Sequence, residues 1–249
     1  MKELARRIEN AAGALASTTL EEMYRNPFWN ERFGARGRKF AEEDSRHHVS
    51  HLVQALLAED TALLENYARW LQTILTSRGI CTRHLAENFQ LLSAAIAREN
   101  FPGGEEAVRF LALAEAAFEY ASGAPRALQR ASARIAHRAA GVICDRHPEW
   151  AQKFGAHGRE QFVEDGLGHL SFLADSLALG RPELFSSHCS WMAGFLERRG
   201  LPHDYLEEML AVLGDGVATD EAFSTELAAP CLATLEAGRH ALSSPAVPA

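Results

Sequence analysis

The chain has 249 residues, 47% of them hydrophobic, a formal net charge of −8 at pH 7 and a pI near 5.8. This length can bury a substantial core, whereas the acidic balance and the lack of a basic stripe argue against a nucleic-acid-binding surface. No stretch is apolar enough to span a bilayer, and the N terminus lacks the apolar run of a signal peptide. We therefore expect a cytoplasmic protein, whose four cysteines have no metal-ligand spacing and are reduced.

The periodicity of the apolar residues predicts helices and no strands. In chain order we place helices at 2–25, 37–58, 61–78, 83–99, 104–121, 125–146, 158–179, 182–199, 203–214 and 220–241. Asp60 is placed to cap the third helix, and Pro182 suits the first turn of the eighth. Gly79 and Gly200 are expected to end these two helices in the left-handed conformation. The sequence therefore predicts an all-α protein.

Glycine, proline and serine divide this helical pattern. Two segments, Phe101-Pro102-Gly103-Gly104 and Gly214-Asp215-Gly216, are predicted to separate the fourth helix of each half from the fifth. The segment Ser122-Gly123-Ala124-Pro125 marks the joint between the halves. We accordingly predict one helical repeat at 1–123, a second at 124–242 and a disordered tail at 243–249.

The second half of the chain repeats the first at an offset of 121 residues, without a gap. The aligned pairs include Trp29 with Trp150, Phe33 with Phe154, Asp44 with Asp165, His48 with His169, Trp70 with Trp191 and Gly79 with Gly200. We interpret this pattern as a tandem duplication of a five-helix module, which would form a pseudo-two-fold helical bundle. Features that both halves share are then expected to belong to the module.

The second helix of each half carries an acidic residue and a histidine one turn apart. At about 100° per residue, Asp44 and His48 fall on the apolar arc of their helix, and Asp165 and His169 do the same. This spacing stacks the two side chains, so the carboxylate could orient the imidazole or share a ligand with it. Because an unpaired charge in the interior is costly, each half is expected to hold either a buried polar network or a site.

Two interpretations of these pairs remain open. In the first, each Asp and His satisfy one another and a backbone carbonyl, without a further role. In the second, the pairs form a ligand site or a metal site of the kind found in di-iron helical bundles. One pair supplies too few metal ligands, so a metal such as iron would need both pairs to meet, or help from Glu43 and Glu164. The candidate metal ligands are Asp44, His48, Asp165 and His169.

The third helix of each half has an aromatic-rich face. Tyr67 and Trp70 lie on this face in the first half, and His188 and Trp191 take their places in the second. Such a face is typical of a core, and it also suits a pocket for a flat organic ligand. The candidate ligand-binding residues are therefore Asp44, His48, Tyr67, Trp70, Asp165, His169, His188 and Trp191.

Other motifs carry weaker signals. The turns Gly34-x-x-Gly37-Arg38 and Gly155-x-x-Gly158-Arg159 could receive an anion at a helix start, but a tight turn fixed by neighbouring aromatic residues explains them as well. His47, His48 and His51 form a histidine cluster that the second half does not share. No nucleophile motif, phosphate loop or dinucleotide fingerprint is present.

Several motifs resemble the helical N-terminal module of bacterial regulatory proteins that carry a cobalamin-binding domain. They are Phe33-Gly34-Ala35-Arg36-Gly37-Arg38, Glu43-Asp44-x-x-x-His48, Tyr67-Ala68-Arg69-Trp70 and Ser77-Arg78-Gly79-Ile80, with Phe154-Gly155-Ala156-His157-Gly158-Arg159, Glu164-Asp165-x-x-x-His169, Trp191 and Arg198-Arg199-Gly200 in the second half. The Asp-x-His-x-x-Gly element that supplies the cobalt-ligating histidine of those proteins is absent from this chain, so cobalamin binding does not carry over. The resemblance implies a duplicated, sensor-associated helical module without its cobalamin domain.

We therefore expect a non-enzymatic binding or sensory protein that takes a small apolar or aromatic ligand, for example a tetrapyrrole. The alternative is a metal-dependent oxidoreductase that holds iron through the Asp and His pairs. A third interpretation is a structural protein that binds a protein partner through a helical face. Neither nucleic acid nor a membrane is expected as a partner.

Overall fold

The computed structural model describes residues 1–202 and 204–243. In this part of the chain the backbone forms helices joined by short turns and contains no strand, and the predicted all-α class is confirmed. None of the helices described combines the length and the apolar character that crossing a membrane requires.

The α-helices are numbered in chain order. They are α1 Lys2–Asn10, α2 Ala12–Met23, α3 Pro27–Ala58, α4 Thr61–Thr76, α5 Thr82–Arg98, α6 Gly104–Ala116, α7 Gly123–Arg146, α8 Pro148–Gln152, α9 Gly158–Ala178, α10 Pro182–Glu197, α11 Tyr205–Thr219 and α12 Thr225–Ser243. A 3-10 turn, Gly155–His157, precedes α9. Because α12 includes Ser243, the rest of the predicted disordered tail, 244–249, lies outside the described residues.

Hydrogen bonds and backbone angles confirm several of the predicted helix ends. Asp60 Oδ1 accepts a hydrogen bond from the Ala62 N–H at 2.9 Å and so caps α4. Pro182 occupies the first turn of α10. After α4 and α10 the chain passes through Gly79 and Gly200, with φ of 83° and 77°, a conformation that glycine adopts at little cost.

The start of α3 differs from the prediction. The helix begins at Pro27, where the Asn26 side chain accepts from the Phe28 N–H at 3.0 Å, and it kinks at Gly34, which has φ 61° and ψ −164°. Gly155, which lies 121 residues further on, has φ 62°. The Gly-x-x-Gly-Arg segments therefore bend the chain as predicted, but in the first of them the bend lies within a helix. The first predicted helix, 2–25, is in turn divided at Ala11, whose ψ of 0° interrupts the helical geometry between α1 and α2.

The predicted break at Gly214-Asp215-Gly216 is wrong, because α11 continues through it to Thr219. A Cβ atom on Gly216 would lie 2.6 Å from Ile135 Cγ2 of α7. The glycine therefore permits α11 to pack closely against α7 and does not end the helix. His203, with which this helix was predicted to begin, lies outside the described residues.

The chain forms two compact units. The first unit contains Met1–Leu75 and Arg83–Glu119, and the second contains Thr76–Thr82 and the described residues from Tyr120 onward. In the first unit, α1, α2 and α6 pack against α3. In the second unit, α7 packs against α9 and α11, and α12 packs against α10 and α11. The predicted boundary between 123 and 124 lies close to the start of the second unit's main segment.

A buried carboxylate ties three segments of the second unit together. Asp175 on α9 accepts hydrogen bonds from the Thr82 N–H at 2.7 Å, the Thr82 hydroxyl at 2.6 Å and the Tyr120 hydroxyl at 2.6 Å. Burial raises the pKa of Asp175 to about 6, although these three hydrogen bonds oppose that shift. The short segment Thr76–Thr82 is thereby fixed to the body of the second unit.

Candidate functional site

The first unit holds a buried hydrogen bond between α3 and α4. Nδ1 of His48 lies 2.7 Å from the hydroxyl oxygen of Tyr67, 19 residues further along the chain. His48 is 4% exposed and Tyr67 is also buried, so this bond is sheltered from water. Helix α4 therefore supplies a polar partner to the imidazole that α3 carries into the interior.

Aromatic rings surround this hydrogen bond. The Tyr67 ring stacks on His51, with centroids 3.7 Å apart and planes inclined by 18°, and on Trp70, with centroids 5.9 Å apart. The Phe89 ring of α5 lies 5.5 Å from the His48 ring. Stacked rings add to the stability that burial supplies. The polar contact of His48 is thus set in an otherwise aromatic environment.

The second unit repeats this arrangement with different residues. Nδ1 of His169 on α9 lies 3.1 Å from Nε2 of His188 on α10, again 19 residues further on, and both rings are buried. Phe172 stacks on His188, with centroids 3.7 Å apart and planes inclined by 16°. Phe172 and His188 stand 121 residues after His51 and Tyr67, whose rings also stack. The same geometry thus recurs at the offset of the sequence repeat, while the duplication itself stays an interpretation of the sequence.

Burial keeps both central imidazoles uncharged. It lowers the pKa of His48 to about 3, to which the nearby His51 and His47 contribute, and it lowers the pKa of His169 to about 4. A neutral imidazole has one ring nitrogen that donates and one that accepts. At neutral pH each unit therefore presents a neutral hydrogen-bonding group to its interior.

The acidic residues do not all pair with the histidines as predicted. Asp165 is partly buried and accepts from the Tyr205 hydroxyl at 2.8 Å and from Gln161 Nε2 at 3.0 Å. His169 Nδ1 is engaged by His188 and its Nε2 has no partner, so the interpretation in which Asp165 and His169 satisfy one another does not hold in the second unit. Burial raises the pKa of Asp165 to about 6 against the two hydrogen bonds. In the first unit, Asp44 is also partly buried.

Asp44 contributes to the electrostatics of the first site. Burial is the main cause that raises the pKa of Tyr67, and the negative charge of Asp44 raises it further. The phenol therefore stays protonated. The Asp44 carboxylate thus helps to keep Tyr67, the hydrogen-bond partner of His48, in its protonated form.

One nitrogen of the second site is buried without a hydrogen-bond partner. His169 is 1% exposed, and its Nε2 atom has neither an acceptor nor a donor within hydrogen-bonding distance. Buried polar atoms are nearly always paired, so an exception calls for a physical explanation. This atom is the one open hydrogen-bonding position on the ring, since Nδ1 is already engaged by His188.

The two candidate tryptophans lie differently from the prediction. Trp70 is 58% exposed, so its placement on an inward face is wrong. The buried face of α4 is centred on Leu64, Leu71 and Leu75, and Trp70 lies about 120° around the helix from it. Trp191 is partly buried and stacks on Phe195, with centroids 5.0 Å apart. Trp70 thus contacts the first site through its stacking on Tyr67, and Trp191 contacts Phe195 on its own helix, α10.

The candidate metal ligands are not gathered into a metal-binding group. Among the residues that the structure describes, no three His, Cys, Asp or Glu side chains lie together in an arrangement that could hold a metal ion. None of the four cysteines forms a disulfide bond, and all but Cys144 are buried.

The glycine-arginine turn of the first unit lies among aromatic rings. Trp29 stacks on Phe33 with centroids 5.8 Å apart, and the Arg38 guanidinium lies over the Tyr24 ring at 4.7 Å. A Cβ atom on Gly37 would overlap the Phe33 side chain. This packing supports the interpretation of the segment as a tight turn that neighbouring aromatic residues hold in place.

Sequence reasoning did not find three residues that shape the sites. Tyr205 holds Asp165, Phe172 covers His188, and Phe89 lies against His48. A usable signal existed for Phe172, since it stands 121 residues after His51 and both positions carry flat rings. Tyr205 replaces His84 at the same offset, and only the three-dimensional contacts reveal its role.

The chain matches no protein-family model, and the comparisons with curated proteins and with solved structures give no match. The resemblance to the helical module of cobalamin-binding-domain proteins therefore stays a prediction from the sequence motifs.

Proposed function

We propose that this protein is a non-enzymatic binding or sensory protein that holds a small, flat, largely apolar molecule beside a buried imidazole. The observation that carries the proposal is the recurrence of one arrangement in both units. In each unit a buried histidine on one helix bonds through Nδ1 to a polar ring on the next helix, and a second aromatic ring stacks on that partner.

The chemistry of this arrangement favours binding over catalysis. A flat apolar ligand gains most of its affinity from aromatic walls, and a few fixed polar groups orient it. His48 and His169 supply such groups without a charge at neutral pH, because burial lowers their pKa values to about 3 and about 4. An imidazole with so low a pKa is poorly suited to general acid–base catalysis near neutrality, which needs a pKa close to the working pH.

The alternative of an iron-dependent oxidoreductase has less support. A di-iron bundle needs several carboxylates and histidines that converge on one point. Within the described residues, no group of three potential ligands is gathered, and the Asp165 carboxylate is engaged by Tyr205 and Gln161.

A ligand screen by thermal shift tests the proposal. We expect at least one flat compound, from a panel that includes protoporphyrin IX, indole and p-cresol, to raise the melting temperature in a saturable manner, because a ligand of the native state stabilises it. The variants Phe172→Ala and His51→Ala form a matched pair, since these residues occupy equivalent positions, and loss of the shift in one of them would assign the ligand to that unit. If no compound in the panel raised the melting temperature at millimolar concentration, the binding proposal would be rejected and a purely structural role preferred.

A further inference from the structure

The unpartnered nitrogen of His169 specifies the kind of ligand that the second unit can hold. His169 Nε2 is buried and has no hydrogen-bond partner. Leaving such a group unsatisfied costs the protein the desolvation of that atom without a compensating hydrogen bond. A ligand atom that pairs with it would remove this cost, so it would gain more from the contact than from a bond to a solvated group.

The polar side chains near this nitrogen are already engaged with one another. His169 Nδ1 is bonded to His188, and the Asp165 carboxylate, one turn earlier on α9, accepts from Tyr205 and Gln161. Phe172 covers the His188 ring. The open hydrogen-bonding position thus belongs to a ring whose hydrogen-bonding partner, His188, is stacked against Phe172.

The charge state of the site limits the charge of the ligand. The imidazole of His169 is neutral at physiological pH, so it offers no compensation to a buried carboxylate or phosphate. A charged group that is taken from water without a partner of opposite charge pays a large desolvation cost. An uncharged ligand avoids this cost.

The shared hydrogen bond favours a hydroxyl group in particular. The contact between His169 Nδ1 and His188 Nε2 contains one proton, and the ring that supplies it decides whether His169 Nε2 donates or accepts. A hydroxyl group can do either, and so it fits both tautomers. A group that only donates or only accepts would fit one of them.

We propose that the second unit binds an uncharged phenol-like molecule, whose hydroxyl group hydrogen-bonds to His169 Nε2 while its ring packs beside Phe172 and His188. This inference rests on the proposed binding function and adds the chemical class of the ligand and the atom that recognises it.

Three probes of similar size separate the contributions. They are p-cresol, which has the hydroxyl group, toluene, which lacks it, and p-toluate, which carries a carboxylate. We expect p-cresol to bind about tenfold more tightly than toluene, as one buried hydrogen bond allows, and p-toluate to bind more weakly than either. In protein labelled with ¹⁵N-histidine, saturation with p-cresol should move the Nε2 resonance of His169 and leave that of His48 unchanged.

The variants His169→Phe and His48→Phe form the matched pair. His169→Phe should abolish the preference for p-cresol over toluene, whereas His48→Phe should retain it. Equal binding of p-cresol and toluene, tighter binding of p-toluate, or an unmoved His169 resonance in the wild-type protein would overturn the phenol inference and leave the binding function in place. If none of these probes and no compound of the screening panel bound, both proposals would fall together.

Discussion

His48 and Tyr67 share a buried 2.7 Å hydrogen bond, and the residues 121 positions later, His169 and His188, are joined at 3.1 Å through the same Nδ1 atom. The partner of the histidine Nδ1 atom is thus a phenol in the first unit and an imidazole in the second. Replacing one of these rings with the other therefore tests whether the two hydrogen bonds are equivalent.

Removal of the Tyr67 hydroxyl should destabilise the protein. Tyr67→Phe keeps the ring and its stacking but leaves His48 Nδ1 buried without its partner, so we expect the free energy of unfolding to fall by about 1–3 kcal/mol. Tyr67→His introduces the residue found at the equivalent position and is the control. Urea denaturation measures both. A neutral effect of Tyr67→Phe, or a larger loss in Tyr67→His, would contradict the role given to this hydrogen bond.

The buried histidines should respond to pH in a defined direction. Because the folded-state pKa of His169 is about 4 and its ordinary value is 6.5, the stability that its neutral form contributes is fully present above pH 6.5 and is lost as the pH falls towards 4. Relative to His169→Gln, the wild-type protein should lose about 3 kcal/mol over this range. An NMR titration should show the His169 ring neutral at pH 5.5. A midpoint near 6.5 in the folded state would refute the assignment.

Asp175 should show the opposite pH dependence. Burial raises its folded-state pKa from 3.8 to about 6, so the stability that its protonated form contributes is fully present below pH 3.8 and is lost as the pH rises through 6. The difference in stability between wild type and Asp175→Asn should therefore move by about 3 kcal/mol against the wild type between pH 4 and pH 7. Asp165 titrates similarly in both proteins and cancels in this difference. A pH-independent difference would show that Asp175 has an ordinary pKa.

Two glycines of α11 offer a packing test. In Gly216→Ala the new Cβ atom would lie 2.6 Å from Ile135 Cγ2 of α7, and we expect a loss of about 1–3 kcal/mol from overpacking. In Gly214→Ala the nearest atom is Leu232 Cδ2 at 3.8 Å, an ordinary contact, so the greater helix propensity of alanine should stabilise the protein by up to about 1 kcal/mol. Thermal denaturation distinguishes the two. Equal effects would mean that α7 and α11 are not in close contact at Gly216.

Local signals predicted much of the fold. Asp60, Pro182 and Gly79 act through atoms within a few residues of themselves, so short-range rules located the helix ends that they mark. Gly216 lies in a glycine-rich segment that looks like a helix end. The structure instead requires glycine there because Ile135, which is distant in the sequence, packs against it. A glycine required by close packing cannot be told from a helix terminator without the neighbouring helix.

The sequence predicted the burial of the site residues better than it predicted which residues they contact. Helical periodicity correctly turned His48 and His169 inward, because burial follows from the angle around one helix. It failed for Trp70, since a helix face that looks apolar in sequence is buried only where another helix covers it. The partner of Asp165 is Tyr205, 40 residues away, and no local rule connects them.

The hydrogen bonds of Asp175 have a consequence for any attempt to express the second unit alone. Its three donors come from Thr82 and Tyr120, both of which precede residue 124. A fragment that begins at residue 124 would lack all three donors, and the Asp175 carboxylate would then be buried without these partners. The second unit is discontinuous along the chain, and an autonomous version would need the peptide Thr76–Thr82 supplied in trans or grafted ahead of Tyr120.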